Sequence, residues 1–347
     1  MGLPQIMIDF KSAGSTAIRR SSHGTVALLL KGTGEHISFR SFAQAEESGL
    51  TGRPLELVRL CFFGNPDKVV LLYDNGSTAE ALSRAATAAQ NGWLCAPDTD
   101  SAVVCDFVKT ARAAGEAVRA VVADAEKPDC EGIVNFSARD IRIQLDDTVK
   151  SVSCADYTAR IAGTLAGLSL ARSATYLALP EVVDIRDSTS PDSEIAAGKL
   201  ILFRSSSCVR LGRAVTSLVS LTSDKGAAFQ KIKIVEGIDL IRRDIHKVFE
   251  EDYIGQVLND YDSKLLLITA INTYLHALEG SVLDAACDNS VSIDFEAQRQ
   301  WLESQGIDTG DLRPVDILKA NTGSHVFLSA SLRFADAMED LLLRVSM

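Results

Sequence analysis

Between Pro66 and Leu202 short apolar runs alternate with helix-like stretches, and this alternation narrows the available folds more than any other feature of the chain. KVVLLY at Lys68 to Tyr73 reads as a strand, Ser77 to Gln90 as an alanine-rich helix opened by a serine cap, and GWLCA at Gly92 to Ala96 as a second strand. A helix over DTDSAVVCDFVKTARAAG ends at Gly115, and AVRAVVA and EGIVNF supply further strands. Cys154 to Leu170 is a helix rich in small residues, after which TYLALPEVVDI returns to strand. Strands separated by helices of this length cannot pair as hairpins, so they form βαβ units and a mostly parallel, helix-covered sheet. The continuous apolar run TVALLL after Gly24 suits a strand buried on both faces.

Beyond Lys199 the pattern changes. KLILFRSSSCVRLGRAV reads as two antiparallel strands around a serine-rich turn, followed by two long helices near Val235 to Asn259 and Ser263 to Cys287. Short helices near Glu296 to Gly306 and Pro314 to Ala320 precede strand-like HVFLSASLRF and LLLRV. The expected fold class is therefore α/β plus α+β, with the division near Gly198; 347 residues suffice for two cores.

A formal net charge of −11 argues against a duplex nucleic-acid partner, whose phosphates are bound by lysine and arginine, and Arg19 and Arg20 are too few to reverse it. No apolar run is long enough to span a bilayer and the first residues lack a signal-peptide pattern, so membrane insertion is not expected and the chain reads as cytosolic. The seven cysteines are scattered and mostly set in apolar runs, which suits reduced core residues.

The chain lacks the spacings that carry common chemistries. KGTGEH has a G-x-G but no third glycine and no helix opening, so it reads as a turn. No phosphate-binding loop, C-x-x-C pair, H-E-x-x-H helix or G-x-S-x-G elbow occurs, and Ser205 to Ser207 have no histidine or aspartate partners assigned by context. The five histidines lie far apart, and Asp98, Asp100, Asp146 and Asp147 suit turns and caps. No catalytic residue, cofactor site or metal site is expected.

The first residues pose a different problem. LPQIMIDF alternates like a strand, with Ile6, Ile8 and Phe10 on one side. Burying three such side chains yields roughly 1.5–3 kcal/mol each, whereas ordering eight residues costs roughly 1–2 kcal/mol each. The strand needs a sheet edge to complete, and Lys11 to Ser22 tether it loosely.

Both ends of the chain resemble a known family. Gly2, Leu3, Pro4, Phe10, Ala17, Ile18, Arg20, Gly24, Val26, Ala27 and Leu28 carry the likeness at the start. At the other end it rests on Ala320 to Gly323, Val326, Phe327 and Leu328, and on Asp336, Ala337, Met338, Glu339 and Asp340. Lys231 to Ala285 adds Asp239, Asp244, Gly255, Asn259, Asn272 and Tyr274, and RAVTSLVS at Arg213 to Ser220 resembles a family segment but has Thr216 where asparagine is usual. The family is that of contractile tail sheath proteins, in the short form of phage tails, defective prophages and R-type bacteriocins (tailocins) of Gram-positive bacteria.

The resemblance implies a non-catalytic α/β domain of subtilisin-like topology, an α+β sheath C-terminal domain, and extended arms at both ends. The implied division is 1–23 for the N-terminal arm and hinge, 24–198, 199–335, and 336–347 for the C-terminal arm. It implies a structural subunit that polymerises as hexameric rings around an inner tube and contracts to drive the tube through a cell envelope. Its implied partners are itself, the tube protein, and baseplate and terminator proteins; its implied place is the bacterial host cytoplasm and then the released particle. Donated strands would contain Leu3, Ile6, Ile8 and Phe10, and Leu341, Leu343 and Val345, and be accepted beside Val326, Phe327 and Leu328. Arg242, Arg243, Asp244, Glu250 and Glu251 are candidates for interface charges that change partner on contraction. The rival readings are an α/β hydrolase-like enzyme and a monomeric two-domain binding scaffold.

Overall fold

The computed structural model describes residue 18 and residues 24–346. The expectations placed on Leu3, Ile6, Ile8, Phe10 and the hinge therefore lie outside the described residues, apart from Ile18. In chain order the elements are β1 (Thr25–Lys31), β2 (Ile37–Phe39), α1 (Phe42–Glu47), α2 (Gly52–Phe62), β3 (Lys68–Asp74), α3 (Thr78–Ala89), β4 (Trp93–Cys95) and α4 (Ser101–Ala113). There follow β5 (Ala120–Ala123), β6 (Ile133–Ser137), β7 (Arg139–Leu145), β8 (Thr148–Val152), α5 (Cys154–Gly167), β9 (Val182–Arg186), α6 (Pro191–Ala196), β10 (Lys199–Arg204) and β11 (Val209–Leu211). The last are α7 (Ile232–Val248), α8 (Tyr261–Leu278), β12 (Ser290–Ile293), α9 (Phe295–Ser304), α10 (Pro314–Lys319) and β13 (Leu328–Ser331).

The described residues divide into two compact units, one of residues 24–243 with 334–346, the other of residues 244–333. The larger is built on a sheet of order β11-β10-β6-β5-β4-β1-β3-β2, parallel from β10 to β3 and closed by antiparallel strands at both edges. Strand β1 lies between β3 and β4. Its alternate residues enter different cores: Val26, Leu28 and Leu30 pack with residues of α2 and α5, while Ala27 and Leu29 pack with α3 and α4. A strand covered on both faces must be apolar throughout, which is why TVALLL does not alternate.

Helices α2 and α5 meet at glycines. A Cβ on Gly163 would strike the Cys61 carbonyl, and one on Gly167 the Gly64 carbonyl, so the absent side chains are what let the two backbones approach. Within α5, Tyr157 and Arg160 are buried and both donate to Glu181, at 2.8 and 2.6 Å.

At one end of the sheet a buried charge network ties α7 to α4 and β5. Arg112 donates to both carboxylate oxygens of Asp239 at 3.0 Å and to Glu131 at 3.0 Å, and Lys225 reaches Glu131 at 2.9 Å. Arg119 lies over the Trp93 ring, whose indole N–H donates to Glu236 at 2.9 Å. Burial alone would lower the Arg112 pKa, and Asp239 and Glu131 outweigh it, so the guanidinium titrates above its usual value. Burial likewise opposes ionisation of Glu131, but Lys225 and Arg112 hold its carboxyl below the ordinary 4.5.

Three places differ from the local sequence pattern. The compact units divide after Arg243, whereas the change of pattern lies near Gly198, and β10 pairs with β6 and so continues the parallel sheet past that point. Arg139–Val152, given no element by the sequence reading, forms the hairpin β7–β8, which with β9 makes a second, antiparallel sheet; Ile141, Ile143 and Leu145 are its buried alternate residues. Residues 335–346, Leu341 to Val345 among them, form neither helix nor strand in the single chain, where an isolated strand would leave its backbone groups without partners.

Two outcomes follow for the larger unit. Gly163→Ala forces α2 and α5 apart and should cost about 1–3 kcal/mol, read as a lowered thermal midpoint, whereas Gly226→Ala, with open space around its Cβ position, should change little. Because the Glu131 pKa is lowered on folding, its stabilisation is present above pH 4.5 and lost as pH falls through the lowered value. Denaturant titrations of Glu131→Gln from pH 7 to pH 3 should show reduced stability at neutral pH and a flatter acid decline.

Candidate assembly surfaces

The smaller unit presents a two-stranded sheet in which β12 and β13 run antiparallel, pairing Ser290 with Ser331, Val291 with Ala330, Ser292 with Ser329 and Ile293 with Leu328. Its two edges differ. The Asn272 side chain on α8 accepts from the Val291 N–H at 2.7 Å and donates to the Val291 carbonyl at 3.1 Å, so a helix side chain occupies the outward-facing groups of β12. Antiparallel pairs alternate between residues that bond across the ladder and residues whose groups point away. Since Val291 turns away from β13, its opposite residue Ala330 turns away from β12, and so does Leu328 two residues earlier. Among the described residues, the edge left for a further strand is that of β13.

Both ends of β13 are pinned. Ahead of it, Asn259 donates to the carbonyls of Gly323 and His325 at 2.7 and 2.9 Å, Lys264 donates to Thr322 at 2.9 Å, and Phe327 packs against Trp301. Behind it, the Arg333 N–H donates to Asn289 at 2.9 Å and the Asp284 N–H to the Arg333 carbonyl at 2.8 Å. A groove of about 620 Å³ lined by Tyr253, Ile254, Val257, Leu258, Leu267 and Val326 adjoins the start of this strand. Val326, Phe327 and Leu328 are half-buried.

On the larger unit the acidic run of the C-terminal segment is bound and the apolar run is not. Asp336 pairs with Lys231, Glu339 accepts from Thr175 at 2.7 Å and Ser173 at 3.1 Å, and Asp340 pairs with Arg213 at 2.7 Å. Leu341, Leu342, Leu343 and Val345 are between 74% and 90% exposed, which is unusual for four apolar side chains within five residues. Ala337 is half-buried and Met338 exposed.

The sequence-nominated charges separate. Arg242, Glu250 and Glu251 are exposed and Arg243 is half-buried. Asp244 is buried and accepts from Tyr274 at 2.6 Å, so it braces the inside of the smaller unit and is not placed to exchange partners on a surface. Thr216, in the asparagine position, is also internal: its hydroxyl donates to the Phe229 carbonyl at 2.9 Å.

The residues that raised catalytic readings have structural partners. Ser205 to Ser207 form the β10–β11 turn, where the Ser205 N–H donates to the Cys208 carbonyl at 2.9 Å. Asp100 caps α4, Asp146 pairs with Arg59, and Asp98 accepts from the Lys31 N–H and pairs with Arg53. His36, His246, His276 and His325 are exposed. Burial pushes the Cys95 and Cys154 thiols up to about 12 and Cys105 to about 11, leaving them protonated and unreactive at neutral pH.

Comparison with known proteins agrees with this arrangement. Residues 224–347 match the family described as the phage tail sheath C-terminal domain. Across 100% of the chain and 99% of the relative, the sequence is 32% identical to the tail sheath protein of Clostridium phage phiCD119. The chain belongs to the tail sheath protein family. It is a structural sheath subunit, with a mixed α/β fold that contains the sheath C-terminal domain. The fold of this sheath protein is shared with the sheath tail protein of Desulfitobacterium hafniense, at a TM-score of 0.63 and 18% identity over 84% of this chain and 94% of that one. It is also shared with the contracted helical sheath of the anti-feeding prophage, at a TM-score of 0.69 and 13% identity over 100% and 99% of the two chains.

The edge of β12 supplies a test. Asn272→Ala leaves the Val291 N–H and carbonyl without their side-chain partner and should cost about 1–3 kcal/mol. Hydrogen exchange at the Val291 amide should accelerate while the amides of β1 keep their protection.

Proposed function

We propose that this sheath protein assembles by strand donation: its N-terminal segment Leu3 to Phe10 and its C-terminal segment Leu341 to Val345 leave their own subunit and extend the β13 edge of neighbouring subunits. The observation that carries the reading is that the chain holds both a β13 edge open among the described residues and an exposed apolar segment at Leu341 to Val345. Backbone groups of Leu328 and Ala330 would bond the incoming strand, and alternate side chains would set its register. The donated apolar side chains gain cover, and with one strand from each donated segment the acceptor sheet grows from two strands to four; two-stranded sheets are marginal alone.

A head-to-tail contact of this kind does not close on itself, so it builds rings and open helical tubes. The subunits form hexameric rings stacked around an inner tube and contact a baseplate and a terminator at the ends; likeness of fold to the contracted helical sheath of the anti-feeding prophage supports the helical assembly. Contraction then exchanges one set of surface contacts for another while the arms keep neighbours linked, with Arg242, Arg243, Glu250 and Glu251 as candidate exchanging charges. The terminal arms 1–23 and 336–347, and a subtilisin-like topology for the parallel sheet, belong to this reading. So do an assembly stage in the host cytoplasm and a role without catalysis.

Electron microscopy of purified protein provides the test. Full-length chain should form tubes, and chains lacking residues 1–20 or 341–347 should remain as folded single subunits with unchanged circular dichroism. Tubes of normal length from either truncation would overturn donation of the segment it lacks.

A further inference from the structure

The acidic residues just before the exposed apolar segment are held with more care than a loose tether requires. Glu339 is largely buried: its Oε1 accepts from the Thr175 hydroxyl at 2.7 Å and lies 3.1 Å from the Ser173 hydroxyl, while Oε2 faces the Arg213 guanidinium at 3.7 Å. Thr175 is itself oriented, because its oxygen accepts from the Ala214 N–H at 2.9 Å and so its proton is directed to the carboxylate. Arg213 also binds both oxygens of Asp340, at 2.7 and 2.8 Å. Two lysines complete the hold, with Lys231 on Asp336 and Lys233 donating to the Ala335 carbonyl. Every one of these partners lies on the same unit as the segment they bind. From Leu341 onward no such anchor occurs among the described residues, and the side chains turn apolar at that residue.

We propose that Glu339 is the positioning residue of the C-terminal arm, clipping residues 335–340 to the body of their own subunit so that only the segment from Leu341 is free to be donated. The inference rests on the strand-donation reading for its consequence, though the clip itself is a feature of the single subunit. Length gives the clip its effect. Seven extended residues from Leu341 reach roughly 25 Å, against roughly 45 Å for the thirteen from Ala335. A short arm leaving from a fixed point can meet a neighbouring β13 edge in one register, whereas a longer free arm can pair two residues out of step with the same side chains inward. The clip is polar and its partners are charged or hydroxyl-bearing, which allows the arm to be replaced neither by an apolar segment nor by a basic one.

The experiment compares full-length Glu339→Ala, Glu339→Gln and Ser173→Ala with the wild type, using two readouts. In unassembled subunits, hydrogen exchange at the amides of 336–340 should accelerate at least about tenfold in Glu339→Ala. The acceleration should be smaller in Ser173→Ala, and partly rescued in Glu339→Gln, which keeps an acceptor for Thr175; the amides of β1 should be unchanged in all three. In assembled tubes, cysteine placed at Leu343 should crosslink to one position along β13 of a neighbour in the wild type and to two or more in Glu339→Ala. Unchanged exchange at 336–340 in Glu339→Ala overturns the clip. Accelerated exchange with an unaltered crosslinking register overturns its positioning role. The truncation at residue 341 keeps the two readings apart, since tubes formed without the arm defeat its donation while the exchange readout still decides the clip. Should Glu339→Ala fail to fold, Ser173→Ala, which leaves the arm sequence intact, decides by the same exchange measurement.

Discussion

A strand must find partners for its N–H and carbonyl groups, and the two units of this protein are organised by where those partners come from. In the larger unit the answer lies within the chain: β1 takes β3 on one side and β4 on the other, and the sheet ends in antiparallel edge strands β11 and β2. In the smaller unit the answer is incomplete. A helix side chain, Asn272, supplies the missing groups on the β12 side, and no comparable side chain does so along β13 among the described residues. That asymmetry leaves the small sheet with one edge unfilled among the described residues, and contacts at Asn259 and Asn289 hold both ends of that edge.

Charge is used differently in different parts of the molecule. Arg112, Arg119, Asp239, Glu236 and Glu131 are buried together, where removing one member leaves another without compensation, so the network fixes geometry at the end of the sheet. The pairs at Arg213 and Lys231 are partly exposed, and their contribution is more directional than energetic. The firm buried pairs lie inside the larger unit, and the weaker pairs lie where the C-terminal segment runs along its surface.

Much of the architecture is legible in the residues. The unbroken apolar run of β1, the alanine-rich α3 and the glycine after α4 each have a local physical cause that a sequence displays. The hairpin β7–β8 is also written in the alternation of Ile141, Ile143 and Leu145, although no element was assigned there. A change of local pattern at Lys199 coincides with a strand that still belongs to the parallel sheet, which only its pairing with β6 reveals. Asp244 looked like its charged neighbours Arg242 and Arg243, and only the approach of Tyr274 from α8 distinguishes it.

The sequence alone determined that the chain carries a helix-covered parallel sheet and that recognisable sheath residues occupy both ends. Those properties depend on composition and periodicity over short stretches. Which edge of the β12–β13 sheet is open, and where the C-terminal segment leaves the body, were decided only in three dimensions. Both depend on side chains far away in sequence, Asn272 meeting Val291 and Thr175 meeting Glu339, and hydrogen bonds between such distant groups have no signature in local pattern.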